Sequence, residues 1–86
     1  MTSLERQLRA FALRALLAAA GNPLSDARLK GAVRDTFVEV AFAEEQLDKL
    51  LAGLKTDGLT QATDHPVLGL MWSLTLKGTT TAQQLG

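Results

Sequence analysis

Side chains able to do acid–base, nucleophilic or metal chemistry are few in this sequence, which has one histidine, His65, and neither cysteine nor tyrosine. Catalysis and zinc ligation need titratable or soft groups in clusters. No triad, phosphate loop or metal cluster can be assembled from these residues, so no enzyme, cofactor or metal site is expected. The absence of cysteine also removes disulfides. What remains is the chemistry of recognition. Arg28, Lys30 and Arg34 are grouped within two helical turns, and Glu44, Glu45, Gln46, Asp48 and Lys49 form a second polar run. His65, next to Pro66, reads most simply as a turn residue, the alternative being a pH-sensitive or ligand role. Trp72 alternates with leucines and is expected in the core rather than as a stacking platform.

The frame for these residues is small. With 86 residues, 47% of them hydrophobic and 21% charged, the chain has the profile of one domain spanning residues 1–86. Folding at this size buries only about 60–65% of the surface of the unfolded chain, so the core must be well patterned or completed by a partner. Nine basic residues balance nine acidic ones, which is not the basic surplus that announces nucleic-acid binding. The balance is uneven along the chain: residues 1–43 hold six basic and four acidic residues, and residues 44–86 hold three and five. Arg6, Arg9 and Arg14 precede a run of small apolar residues at 15–20 that is too short for a secretory signal or a membrane span. A cytoplasmic location is expected.

Periodicity supplies the elements. Leu4, Leu8, Phe11, Ala12, Ala15, Ala18 and Ala19 share a helical stripe, predicting a first helix over about 3–20 with Gly21 as its stop. Leu13, Leu16 and Leu17 lie off that stripe, so the helix is covered on two sides, either by the rest of the domain or by a dimer partner. A second helix begins near Ser25, a good cap, and buries Leu29, Ala32, Val33 and Phe37 while Arg28, Lys30, Arg34 and Asp35 take the solvent side. Gly31 weakens it by about 1 kcal/mol relative to Ala and marks a candidate point of close helix packing. A third helix over about 44–57 buries Leu47, Leu50, Leu51 and Leu54, with Phe42 stapled onto Leu47 and Gly58 bringing Leu59 back over Leu54.

After Gly58 the period changes from 3.6 to 2. Leu68, Leu70, Trp72 and Leu74 point one way along a strand over 67–74, and Leu59 to Thr63 forms its partner across a turn at 64–66. A two-stranded hairpin cannot stand alone in water, so those four side chains are expected against the helices. Thr75 caps a short closing helix containing Leu76, Ala82 and Leu85.

Three helices followed by a hairpin, the third helix running through Gly58 straight into a strand, is the chain order of a winged helix-turn-helix domain, an α+β fold. The segment Leu47 to Thr60, Leu-Asp-Lys-Leu-Leu-Ala-Gly-Leu-Lys-Thr-Asp-Gly-Leu-Thr, resembles the third helix and first wing strand of such domains. Trp72-Ser73-Leu74-Thr75-Leu76-Lys77-Gly78 is similar to the hydrophobic-x-Leu-Thr-x-Lys/Arg-Gly signature that follows the wing. Over nearly the whole chain the sequence resembles the small ArsR-like winged-helix proteins of Mu-like prophages. Metal sensing, which ArsR-like repressors perform with cysteine or histidine clusters, does not carry over, since no such cluster exists here.

The resemblance implies that residues 43–57 are a recognition helix for the major groove of duplex DNA, with Gln46 and Lys49 reaching in while Arg28, Lys30 and Arg34 contact phosphates. The sequence departs from that expectation in placing Glu44, Glu45 and Asp48 at the reading end, and in giving the wing no Arg or Lys. The expected function is a prophage transcriptional regulator that binds duplex DNA as a dimer. The alternative is a winged helix used for protein contact without DNA binding, with a second copy or a phage-encoded protein, through Leu13, Leu16 and Leu17 or through Val67 and Met71.

Overall fold

The computed structural model describes residues 2–85. Thr2 opens the first helix, α1 (Ser3–Ala18), its hydroxyl accepting the Glu5 amide at 3.1 Å. The helix ends two residues earlier than its small-residue run predicts, because Ala20 and Gly21 both take left-handed backbone conformations, at φ 54° and 86°. The chain then makes a short strand, β1 (Leu24–Ser25), and enters α2 (Asp26–Thr36), where Ser25 caps by accepting the Arg28 amide at 3.2 Å. After a loop come α3 (Glu44–Thr56), β2 (Thr60–His65), β3 (Gly69–Leu74) and α4 (Leu76–Leu85). The strands form one antiparallel sheet in the order β1-β3-β2. This is an α+β architecture of four helices and three strands. The strand β1, only two residues long, is too short to show a period and went unforeseen.

Two apolar clusters hold these elements. The larger joins Ala12, Leu13 and Leu16 of α1 to Leu29, Leu51, Leu54, Leu59, Trp72 and Ala82. The smaller joins Leu8, Val33 and Leu47, with Phe11, Phe37, Phe42 and Leu50 packed around it, and Phe11 meets Phe37 edge to face at 5.7 Å. Leu13 and Leu16 are thus 2% and 3% exposed and make no surface for a partner, and Leu17 is half-buried against the same cluster. An apolar periphery on a helix shows that it is covered, not by what; here the cover is the chain's own sheet and closing helix.

The junction after α3 follows the expected chemistry. Gly58 adopts φ 76°, its amide donates to the Lys55 carbonyl, and the Leu59 amide returns to the Leu54 carbonyl at 3.0 Å, which is the paired bonding of a Schellman motif. Thr75 then ties the far end of the hairpin to this junction. Its amide donates to the Leu59 carbonyl, its hydroxyl donates to the Gly58 carbonyl at 2.6 Å, and the same oxygen accepts the Gly78 amide at the start of α4. Lys77 adds a bond from Nζ to the Asp57 carbonyl at 3.1 Å. The Leu-Thr-x-Lys-Gly segment is therefore a clamp between the end of α3 and the start of α4. Replacing Thr75 with Ala removes a helix cap and a bond to the junction together, and is expected to cost about 1–2 kcal/mol in urea unfolding.

The hairpin differs from its expected form at the tip. β2 runs on through His65, which pairs with Gly69, and the loop is 66–68. Leu74 and Trp72 lie on the core as expected, Trp72 at 5% exposure, but Leu70 and Leu68 are 37% and 58% exposed. Alternation shows which side chains share a face; it cannot show how far along that face the helices reach. The tip projects beyond them.

Candidate functional site

The polar residues of α2 and α3 converge where the two helices meet. Ser25 and Ala43 start them, and Asp26, Lys30 and Arg34 recur at four-residue spacing along α2, opposite Glu44 and Asp48 at the same spacing along α3. Lys30 is 5% exposed, and its Nζ lies 2.7 Å from Asp26 Oδ2, 2.8 Å from Glu44 Oε1, and against Asp48 Oδ1. Arg34 reaches the other oxygen of Glu44 at 2.6 Å. Asp26 also accepts the Trp72 indole N–H at 2.9 Å, which connects this network to β3.

The electrostatics follow from that geometry. Burial works to lower the basicity of Lys30, but hydrogen bonds to Asp26, Asp48 and Glu44 outweigh it and hold the ammonium above its ordinary range. The bonds from Lys30 and Arg34 bring Glu44 down to about 2. Carboxylate oxygens of Asp26, Glu44 and Asp48 lie within 4.8 Å of one another, a spacing that suits a cation. The cation seated among them is the Lys30 ammonium, so a metal ion would have to displace a covalently tethered competitor.

Each residue assigned to recognition can now be placed. Lys30, expected on the solvent side and at a phosphate, points inward, because the carboxylates of α3 come to rest over it. Arg34 is exposed but engaged by Glu44. Gln46 turns back on its own helix, Oε1 accepting the Ala43 amide at 2.8 Å, which is one half of a capping box; the alanine side chain has no acceptor to supply the other half. Arg28 and Lys49 remain exposed, with no ion-pair partner among the described residues. Lys49 stands at a groove of about 390 Å³ between the start of α1 and α3, whose walls include Leu4, Leu8, Phe42 and Leu50.

The chain matches no known protein family, curated protein or solved structure. Its site must be read from its own geometry.

The hairpin tip is the second exposed feature. Val67 is 84% exposed, next to Leu68 and one pair away from Leu70, and the strands and loop of residues 60–74 contain neither Arg nor Lys. Met71, proposed with Val67 as a partner surface, is half-buried on the other face of β3, opposite Thr63 on β2 and Ser25 on β1. Sequence reasoning missed the three acidic partners of Lys30. The Asp26–Lys30 spacing was a readable signal, since residues four apart on a helix are neighbours. Glu44 and Asp48 gave none, because their approach depends on how α3 crosses α2. No helix among the described residues is long and apolar enough to cross a membrane.

Proposed function

We propose that the chain is a cytoplasmic winged-helix domain that works by contacting another protein, and that its hairpin is the contacting wing. The winged-helix reading is supported by the order of elements: a helix pair α2–α3 leads directly into a hairpin, and β1 completes a sheet whose central strand is β3. One observation carries the choice of partner. Val67, Leu68 and Leu70 are exposed apolar side chains at the tip, and residues 60–74 contain no Arg or Lys; exposed apolar clusters mark protein contacts, whereas a wing for the minor groove ordinarily carries at least one such cation. The partner is a second copy of the chain or a protein encoded with it in a prophage.

The committed cations of α2 support the same reading. Phosphate contacts supply most non-specific DNA affinity, and Lys30 and Arg34 are engaged by carboxylates of the helix that would enter the groove. Sedimentation velocity over rising concentration, alone and with neighbouring prophage proteins, is expected to show association that Val67→Glu abolishes. A monomer throughout, indifferent to Val67→Glu, defeats this reading.

DNA binding as a regulator is the second reading, favoured by the helix pair itself and by the exposed Arg28 and Lys49. Fluorescence anisotropy with duplex DNA at low salt decides it. Affinity weaker than about 10⁻⁴ M, below ordinary non-specific binding, excludes it. Tighter binding that Arg28→Ala and Lys49→Ala weaken would replace the protein-contact reading.

A further inference from the structure

His65 ends β2 and faces Gly69 across the ladder. Its Nδ1 accepts the amide of Val67 at 3.1 Å and the amide of Leu68 at 3.0 Å. A single ring nitrogen thus serves two backbone donors, the task an Asn or Asp oxygen performs in an Asx turn. A ring nitrogen accepts only while it carries no proton, so this loop requires the neutral tautomer with hydrogen on Nε2; the imidazolium is a donor at both positions. Protonation sets an N–H against two other N–H groups and removes both bonds in one step.

Little else holds the loop. Pro66 has no amide hydrogen, and Val67 and Leu68 project into solvent at 84% and 58% exposure. Asp64 is the one other titratable group on β2, the facing strand β3 carries none between Gly69 and Leu74, and β1 lies on the far side of β3. No ion pair reaches His65 among the described residues.

The geometry points to His65 as a proton-operated latch on the hairpin tip: neutral, it holds the 66–68 loop in its turn, and protonated, it releases that loop and reshapes the apolar knob of Val67 and Leu68. This goes beyond the protein-contact reading and does not depend on it. Histidine is the side chain whose ordinary charge change falls between about pH 5 and pH 8.

Proton–nitrogen correlation spectra of the full chain, taken from about pH 8 down to about pH 5, test it. The Val67 and Leu68 amide signals are expected to move with the His65 ring C–H signals through a common midpoint. Hydrogen exchange at those two amides, corrected for its intrinsic pH dependence, is expected to rise on the order of tenfold on the acid side, as loss of such bonds implies. His65→Asn supplies an oxygen that accepts but does not titrate, and it should keep the turn while abolishing the pH response. His65→Ala, which lacks an acceptor, should show the acid-form signals at every pH. Both changes lie at an exposed tip, so Trp72 fluorescence reports an intact core in each. Val67 and Leu68 amides that ignore the ring titration, or that still titrate in His65→Asn, overturn the assignment.

Discussion

Gly78→Ala is expected to destabilise the chain by about 3 kcal/mol or more, a large part of the total for a domain of this size, on the order of 5–10 kcal/mol. A Cβ at this position would stand 2.7 Å from the carbonyl carbon of Leu59 and closer still to its oxygen, a contact with backbone rather than with a side chain that could swing aside. That backbone cannot retreat easily. The Leu59 carbonyl accepts the Thr75 amide, the Leu59 amide is bonded to Leu54 in the cap of α3, and the Leu59 side chain belongs to the core. Relieving the clash means lifting the first turn of α4 from the junction and breaking the Thr75 and Lys77 bonds with it. Gly31→Ala is the contrasting case in the same urea titration. Nothing lies within 4 Å of a Cβ there, so the glycine does not mark close helix packing as its position in α2 had suggested, and alanine should stabilise by about 0.5–1 kcal/mol through helix propensity. If Gly78→Ala unfolds at the same urea concentration as the unmodified chain, the packing of α4 on Leu59 described above is wrong.

Lys30→Met carries the second large effect. The ammonium is the hub that makes Asp26, Glu44 and Asp48 compatible at close range. Removing it leaves three facing carboxylates, and breaking a fully buried pair in this way costs about 3–5 kcal/mol. The carboxylates here are partly or largely solvent-exposed and can be rehydrated, which brings the expected cost to about 2 kcal/mol at neutral pH. The pH dependence has a definite sign. Glu44 is held at about 2, below its ordinary 4.5, so its contribution to stability is present above about pH 4.5 and is lost as the pH falls toward 2. Lys30 is held above its ordinary 10.5, so its contribution is complete below that pH and is lost as the pH rises through the folded value. The unmodified chain should therefore be most stable between these limbs. In Lys30→Met Glu44 loses the bond that does most to hold it low, so the deficit should shrink as the solution is acidified. Glu44→Gln should flatten the acid limb of the unmodified profile. A deficit in Lys30→Met that stays constant from neutral pH to about pH 2 would rule out the network as its cause.

The two readings of function differ in how they treat this network. A surface built for phosphates leaves its cations free, and here the helix presumed to enter the groove uses its own acids to engage Lys30 and Arg34. The acidic start of α3, which on sequence looked like a departure from DNA recognition, acquires a structural role: it docks α3 onto α2. The hairpin tip keeps Val67, Leu68 and Leu70 exposed, and with the cations of α2 engaged this is what favours the proposal of protein contact.

Local patterns alone determined much of this molecule. The helix stripes placed α2 and α3 within a residue or two, Ser25 and Thr75 cap where their side chains allow, and Gly58 with Leu59 forms the predicted C-terminal motif, because each depends on residues a few positions apart in the chain. Tertiary structure decided the rest. Whether Leu13 and Leu16 meet a partner or the chain's own sheet, whether Lys30 faces solvent or three carboxylates, and whether Leu68 and Leu70 reach the helices all depend on how elements far apart in sequence cross in space. Periodicity reports the direction a side chain takes from its own backbone; burial and charge pairing are set by what another segment brings to meet it.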